Sequence, residues 1–453
     1  MEAQILRLIY CFAVFASCFG FEFGDPIPPN TFDTTGTLVF LQTVWRHGDR
    51  TPTGTFPGDP NKWNRALGEL TPRGMNQHFI LGERLNQRYV QHIKFLPESY
   101  DSTKVYVRST DVNRTILSAV SNLIGFYKGK PNDDYPNITG WPTNYVPIPI
   151  HTAYIDYNDD HVGNPLSRCD RATSIMALIK ETPEVQKTAK DSQPLLNKLT
   201  ELAEEKIDLW NVWSVYDAWF IDLDNNKTLP PSFTEQIYNE TRDLNNVVDN
   251  YDYGIGIAPY KEFKVREELT KVRGGPILWS LINHINDKIY CTTTDEKKWD
   301  KKKVGTCKWI KQLQWYAYSA HDITIAGLFA AFGFNETNFD EPGFPHYSAA
   351  VSVELWKDTN AEFYVKIYYW KPPANLTKPA TDGDIFDLTS KISGCNDKCA
   401  LSAFVKRSEL FKVDDINKLC DEKDLFSTSF ASTSTTLSFA LFFSLIVYYV
   451  FKN

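Results

Sequence analysis

The chain has 453 residues, of which 42% are hydrophobic and 23% charged, and its formal net charge is −8. This length allows two or three ordinary domains, or one large α/β core with an insertion. The negative net charge argues against nucleic acid as the main partner, so an anionic ligand would need a locally cationic pocket.

Residues 1–20 have the features of a secretory signal peptide. Arg7 precedes an apolar run from Leu8 to Ala16, and small residues follow at Ser17 and Gly20. Prolines between residues 21 and 36 disfavour a helix there. We therefore expect the mature chain to begin near residue 21 with an extended segment.

The apolar run Leu38–Trp45 predicts a buried strand that leads directly into Arg46, His47 and Arg50. Ligands of open α/β sheets bind where such strands end. Guanidinium groups match phosphate oxygens, and a neutral imidazole nitrogen is a competent nucleophile. This cluster therefore predicts phosphoryl transfer to His47.

The segment Arg46–Pro52, RHGDRTP, resembles the RHGxRxP signature of the histidine acid phosphatases, the acid phosphatase and phytase branch of the histidine phosphatase superfamily. The resemblance extends over about residues 36–425. It implies an α/β fold: a large domain with a central mixed β-sheet flanked by helices, as in phosphoglycerate mutases, plus a smaller, mostly α-helical inserted cap. It also implies that His47 is the nucleophile and that Arg46 and Arg50 bind phosphate.

A second strand-to-helix junction follows the predicted helix Leu70–His92, for which Thr71 is the expected N-cap and Pro72 the first residue. Lys104–Val107 predicts a short strand that ends at Arg108, and Val112–Phe126 predicts a helix whose N-terminus favours an anion. The tract VYVRSTDVNRT is similar to the family's, and the resemblance implies that Arg108 binds phosphate.

Residues 127–264 show loops and helices without alternating strand patterns, and we assign them to the inserted cap. Residues 21–126 and 265–425 then form the catalytic domain. The helices expected in the insertion are Ala172–Ala189 with a break at Pro183, Gln193–Asn211 and Ser232–Asp249.

The third junction lies in the returning part of the catalytic domain. Gln314–Ser319 predicts a strand, and His321 and Asp322 follow it at the start of a predicted helix, Ile323–Phe334. The dipeptide matches the family's HD motif, and the resemblance implies that His321 binds phosphate and that Asp322 is the proton donor. Further expected elements are a helix at Pro276–Asp287 and a hairpin of strands Ser348–Trp356 and Glu362–Trp370.

Two of the eight cysteines lie in residues 1–20, which leaves an even number, six, as expected in an oxidising compartment. Spacing alone permits many pairings. The resemblance implies the disulfides Cys169–Cys420 and Cys395–Cys399, and Cys291 and Cys307 would then pair with each other. Candidate N-glycosylation sites occur at Asn113, Asn137, Asn226, Asn239, Asn335 and Asn375.

The C-terminus carries a Ser/Thr-rich linker, residues 426–436, and an apolar segment, residues 437–451. This segment is compatible with either a single-pass membrane anchor or a glycolipid-anchor signal, whereas a core helix is disfavoured by its terminal, uncapped position. We therefore expect a secretory-pathway protein that is anchored to a membrane, with its catalytic domain extracellular or lumenal.

Together these patterns predict an acid phosphatase that acts on phosphate monoesters through a phosphohistidine. No cofactor and no metal are expected, because arginines supply the positive charge that Mg²⁺ provides in other phosphoryl-transfer sites. A homodimer is possible. The alternatives are a phytase or inositol polyphosphate phosphatase, and an inactive membrane-displayed binding protein on the same fold.

Overall fold

The computed structural model describes residues 35–153, 161–230, 232–339, 342–373 and 385–426. The predicted signal peptide, nearly all of the predicted linker and the C-terminal apolar segment lie outside these residues. Within them, no helix combines the length and the apolar character needed to cross a membrane.

Within the described residues, eight strands form one mixed sheet. They are β1 (Gly36–Arg46), β2 (Val105–Thr110), β3 (His151–Ala153), β4 (Trp315–Ala320), β5 (Ala350–Asp358), β6 (Phe363–Trp370), β7 (Ile385–Asp387) and β8 (Cys399–Ala400).

Thirteen α-helices lie in the described part of the chain. They are α1 (Pro72–Asn86), α2 (Asn113–Phe126), α3 (Asp170–Lys180), α4 (Pro183–Asp191), α5 (Gln193–Ala203), α6 (Val212–Asp224), α7 (Glu235–Tyr251), α8 (Val265–Arg273), α9 (Gly275–Thr293), α10 (Val304–Ile310), α11 (Asp322–Phe332), α12 (Leu401–Ser408) and α13 (Ile416–Asp421). A π-helical turn, Gln87–His92, continues α1, and short 3₁₀ turns occur at Glu296–Lys298, Thr389–Lys391 and Glu409–Phe411.

The strand order is β3-β2-β4-β1-β5-β6-β7, with β8 paired to β6. Strands β3, β2, β4 and β1 are parallel to one another, whereas β5 is antiparallel to β1, β6 to β5 and β7 to β6. Parallel strands need crossover helices, and these cover both faces of the sheet. The carboxyl ends of β1, β2 and β4 consequently meet at one edge of the parallel part.

Two apolar cores lie against the sheet. Helices α1 and α2 pack on one face with Trp45, Trp315 and Trp370, and α9, α10 and α11 pack on the other with Phe40 and Val44. The sheet strands are therefore buried on both faces, as the nearly continuous apolar run in β1 predicts. The predicted α/β fold with a central mixed sheet is confirmed.

A third core belongs to the helices between Cys169 and Leu269, with Trp219 at its centre. We call α3–α7 the helical insert. Its helices begin and end close to the predicted positions, except that α5 ends at Ala203 and α6, which was not predicted, follows. Strand β3 lies within residues 127–264 yet pairs with β2, so part of the segment assigned to the cap belongs to the sheet.

The described part of the chain contains three disulfides, which join Cys169 to Cys420, Cys291 to Cys307 and Cys395 to Cys399. The first joins the start of the helical insert to α13, across 251 residues of sequence. The insert is thus tied covalently to the last helix of the described residues.

Candidate active site

The loop after β1 is held against the start of α11 and the start of α1. The backbone N–H of His47 donates to the carbonyl of Ala320, the last residue of β4, at 3.0 Å. Gly48 lies so close to α1 that a Cβ there would collide with the backbone of Gly74. Because only glycine permits this approach, Gly48 fixes the loop at the edge of the sheet.

His47 is 2% exposed and lies at the centre of this edge. The Nδ1 atom of His47 lies 2.8 Å from the carbonyl oxygen of Gly48. Because a carbonyl oxygen can only accept a hydrogen bond, Nδ1 carries the proton and Nε2 holds a lone pair. Burial, reinforced by the charges of Arg114 and Arg46, lowers the pKa of His47 well below its usual value. The imidazole is therefore neutral even in mild acid.

Three guanidinium groups lie near this imidazole: those of the buried Arg46 and Arg50 and that of the half-buried Arg114. Each lowers the pKa of His47 through its charge. Burial, together with the charge of Arg50, lowers the pKa of Arg114 to about 10, so that it is still a cation at neutral pH. Arg114 is the second residue of α2, at the end of the helix that favours an anion.

Each of the three guanidinium groups has one N–H donor without a partner among the described residues. Arg46 donates from Nη1 to the carbonyl of Pro345 and pairs through Nη2 with Asp322. Arg50 donates from both Nη atoms to Asp217. Within the described residues, however, no acceptor reaches the buried Nε atoms of Arg46, Arg50 and Arg114. Three unpaired N–H groups around one imidazole form a site for an anion that offers several oxygens.

The assignment of Arg108 to this site is wrong, because the structure places it elsewhere. Strand β2 extends to Thr110, beyond the expected end at Val107, so Arg108 lies within the strand, opposite Tyr318 of β4. Its side chain hydrogen-bonds Tyr316, and its charge acts on His284 of α9. Arg114, in the same VYVRSTDVNRT tract, takes the position that the sequence analysis gave to Arg108.

His321 and Asp322 lie where they were expected, at the start of α11. The rings of His321 and His47 are 5.6 Å apart, and the Nε2 atom of His321 is 3.0 Å from Thr110 Oγ1. Burial, with a further contribution from the charge of Arg114, lowers the pKa of His321 to about 3, so this ring is also neutral.

Asp322 is 17% exposed and pairs with Arg46 at 2.8 Å. Burial raises the pKa of this carboxyl, but the charges of Arg46 and Arg50 outweigh burial, so the pKa lies below its usual value. In the ligand-free site Asp322 is therefore ionised except in strong acid.

Two side chains that the sequence analysis did not identify complete the site. Asp217 of α6 accepts from Nη1 and Nη2 of Arg50, at 2.9 Å each, so the helical insert contacts the loop after β1. The ring of Tyr347 lies 4.1 Å from the guanidinium carbon of Arg46 and 5.7 Å from the ring of His47. Neither residue has a local signal, because each meets the motif only through the fold.

A model of the histidine phosphatase superfamily, branch 2, matches residues 37–370 of the chain. The chain belongs to this superfamily. The resemblance seen in the RHGDRTP segment is thereby confirmed at the level of the family, and the matched range contains all three strand-to-helix junctions.

Among similar proteins, human prostatic acid phosphatase is 32% identical over 376 residues, which cover 82% of this chain and 84% of the human protein. Bovine lysosomal acid phosphatase is 29% identical over 378 residues, which cover 82% of this chain and 78% of the bovine protein. The phytase of Hafnia alvei superimposes with a TM-score of 0.61 at 15% identity, covering 86% of this chain and 99% of the phytase. At that identity the phytase shows a shared fold.

Proposed function

We propose that this histidine phosphatase is an acid phosphatase that hydrolyses phosphate monoesters through a phosphohistidine on His47. The observation that carries this proposal is the combination of an unprotonated Nε2 on a buried, neutral imidazole with three surrounding guanidinium groups, each of which has an unpaired Nε–H. The nucleophile and the phosphate cradle thus occur together.

The first half-reaction transfers the phosphoryl group to the enzyme. The Nε2 lone pair of His47 attacks phosphorus, and the bond between phosphorus and the ester oxygen breaks. Asp322 gives its proton to that oxygen, so that the product leaves as an alcohol or phenol. Arg46, Arg50 and Arg114 neutralise the phosphoryl oxygens with charge-assisted hydrogen bonds worth ~1.5–3 kcal/mol each, and His321 lies beside them.

The second half-reaction regenerates the site. Asp322, now a carboxylate, takes a proton from water, and the resulting hydroxide attacks phosphorus as the P–N bond breaks. The bonding electrons return to Nε2 of His47, and inorganic phosphate is released. In this scheme the positive charge comes from the arginines, and no step calls for a metal ion.

A small monoester suits this site better than inositol hexakisphosphate does. Three side chains of α6 that face the site and the start of α1 are acidic or aromatic: Asp217 contacts Arg50, Asp224 pairs with Arg73, and Phe220 lies 6.0 Å from the ring of Tyr347. A substrate with several further phosphate groups needs cations in these positions. Comparing turnover of inositol hexakisphosphate with that of an aryl phosphate separates the two substrates.

The test of the proposed activity uses the purified ectodomain with an aryl phosphate at acidic pH and with a chelator present. Turnover is expected, and acid quenching during turnover should trap a phosphorylated protein. The variant His47→Ala should lose both signals while still binding inorganic phosphate. Turnover that stops with the chelator, or that persists in His47→Ala, would contradict the mechanism.

We also propose that the protein enters the secretory pathway and is anchored to a membrane, with residues 437–451 as either a membrane-spanning segment or the signal for a glycolipid anchor. The three disulfides suit an oxidising compartment. Four of the candidate glycosylation sites, Asn113, Asn137, Asn226 and Asn335, are exposed, Asn239 is half-buried, and Asn375 lies outside the described residues. Release of the protein from cells by a phosphatidylinositol-specific phospholipase would favour a glycolipid anchor, whereas retention would favour a membrane-spanning one.

A further inference from the structure

The hydroxyl of Tyr347 is a polar group at this site that the mechanism above leaves without a role. The side chain is only 4% exposed. Its ring stacks on the guanidinium of Arg46 at 4.1 Å and lies 6.0 Å from the ring of Phe220, which belongs to the helical insert. The ring is thus held between the end of β1 and the helical insert, and its orientation is fixed.

The hydroxyl itself is buried, and no hydrogen-bond partner for it occurs among the described residues. A buried hydroxyl without a partner costs free energy, so native structures rarely contain one that has no ligand or water to bind. Its strongest electrostatic interaction with a charged side chain is with Arg50, followed by Asp217 and Arg46. Because the ring lies 4.1 Å from the guanidinium carbon of Arg46 and 5.7 Å from the ring of His47, this unpaired hydroxyl belongs to the same anion site as the unpaired Nε–H groups.

We propose that Tyr347 contacts the substrate directly, with its hydroxyl donating a hydrogen bond to one of the phosphoryl oxygens that the three guanidinium groups bind. This inference rests on the proposed function, since it assumes that the three guanidinium groups hold a phosphoryl group. It adds a neutral donor to a cradle whose other donors are charged. In the proposed mechanism the ester oxygen already receives its proton from Asp322, which pairs with Arg46.

The state of the hydroxyl suits a donor. Burial raises the pKa of Tyr347 well above its ordinary value, against the opposing charge of Arg50. The group stays protonated throughout the acidic and neutral range, so it can give a hydrogen bond to an anion at any pH at which the enzyme works. It has no part in proton transfer under these conditions.

The test is Tyr347→Phe, which removes the hydroxyl and keeps the ring on Arg46. Calorimetric titration with inorganic phosphate should show binding weakened by about 10- to 100-fold, the range expected for a hydrogen bond to a charged group. The value of kcat/KM should fall by a similar factor for two aryl phosphates whose phenols differ widely in acidity. Thermal stability should be unchanged or slightly raised, because a buried unpaired group is lost.

Tyr127→Phe is the matched control. Tyr127 follows the C-terminal end of α2, is 1% exposed and also has a buried hydroxyl without a partner in the described structure. It lies a whole helix away from Arg114, about 20 Å at ~1.5 Å per residue. Its loss should leave phosphate binding as in the wild type.

Several results would overturn the proposal. Phosphate binding that is unchanged in Tyr347→Phe removes the contact, and a loss confined to the ester with the poorer leaving group reassigns the hydroxyl to the ester oxygen. An equal loss in Tyr127→Phe points to general destabilisation. If Tyr347→Phe does not fold, an NMR titration of the wild type labelled with ¹³C at tyrosine Cζ decides the question. A Tyr347 resonance that does not change when phosphate is added also overturns the proposal.

Failure of the proposed function gives a different pattern. Phosphate binding is measured without turnover, so a wild-type protein that binds phosphate through Tyr347 but hydrolyses no ester would retain this inference and lose the mechanism. If the wild type turns over normally and the Tyr347→Phe variant binds phosphate as well as the wild type does, the mechanism is retained and this inference is lost.

Discussion

Asp217 accepts two hydrogen bonds from Arg50, both 2.9 Å long, across 167 positions of the sequence. The carboxylate belongs to α6 of the helical insert, and the guanidinium belongs to the loop after β1. A bidentate pair of this kind fixes the plane of the guanidinium as well as its position. The orientation of the unpaired Nε–H of Arg50 therefore depends on the insert.

Replacing this carboxylate should consequently impair the site. We expect Asp217→Ala to lower kcat/KM for an aryl phosphate by about 10-fold, because a freed Arg50 must be ordered again by the substrate. The control is Asp191→Ala, which removes an exposed carboxylate of the same insert that pairs with Lys187. Wild-type kinetics in Asp217→Ala would show that the insert does not orient the arginine.

Arg114 and Arg108 offer a matched pair of variants. Arg114→Gln should lower kcat/KM by about 10- to 100-fold, because a charge-assisted contact worth ~1.5–3 kcal/mol is lost. Arg108→Gln should leave kcat/KM close to the wild-type value, since Arg108 contacts Tyr316 instead of the site. Steady-state kinetics with phosphate inhibition measure both. A larger loss in the Arg108 variant would restore the assignment made from sequence.

The error at Arg108 has a physical origin. Ser109 and Asp111 are residue types common in turns, but β2 continues to Thr110 because it pairs with β3 and β4 on either side. β-Structure depends on such neighbours more than on intrinsic preference. Strand β3 has only three residues in a proline-rich region, so sequence alone could not reveal either the strand or its effect on the length of β2.

Other parts of the site were predictable because their signals are local. Thr71 caps α1 by accepting from the N–H of Gly74, and Pro72 begins the helix, as the sequence indicates. His47 and His321 each follow an apolar strand directly, and parallel pairing of β1 with β4 brings those strand ends together. Asp217 and Tyr347 lack any such signal, since their contacts with the motif arise only from packing of distant segments.

The buried histidines should make the protein sensitive to acid. The ring of His78 hydrogen-bonds the carbonyl of Arg46, the last residue of β1. Burial lowers the pKa of His78 to about 3, although this hydrogen bond partly opposes the effect. The unfolded chain binds a proton at this residue near pH 6.5, whereas the folded chain does not until about pH 3. Stability is therefore complete above pH 6.5 and falls as the pH decreases towards 3.

The variant His78→Gln tests this linkage, because glutamine can keep a donor to the carbonyl of Arg46 but does not titrate. Thermal unfolding between pH 7 and pH 4 should show a smaller loss of stability for the variant than for the wild type. Parallel curves for the two proteins would mean that His78 does not contribute to the acid sensitivity. Inorganic phosphate should stabilise both proteins by mass action.

Asp322 must be protonated to act as a general acid, yet in the ligand-free site Arg46 and Arg50 hold its pKa below the usual value despite burial. A bound phosphate group compensates these two charges, while burial of the carboxyl continues to favour its neutral form. The pKa of Asp322 should therefore rise when substrate binds. The acid is formed in the complex, and kcat should decrease as the pH rises through this higher pKa.

The variant Asp322→Asn should remove this alkaline decrease of kcat, because the amide does not titrate. The value of kcat/KM, which reports the first half-reaction alone, should fall by about 10²–10⁴-fold for an ester with a poor leaving group, the range for general acid catalysis, whereas kcat/KM for an ester of an acidic phenol should be much less affected. The two esters serve as controls for each other, since misfolding would reduce both rates alike. Equal losses for both esters would exclude Asp322 as the proton donor to the leaving group.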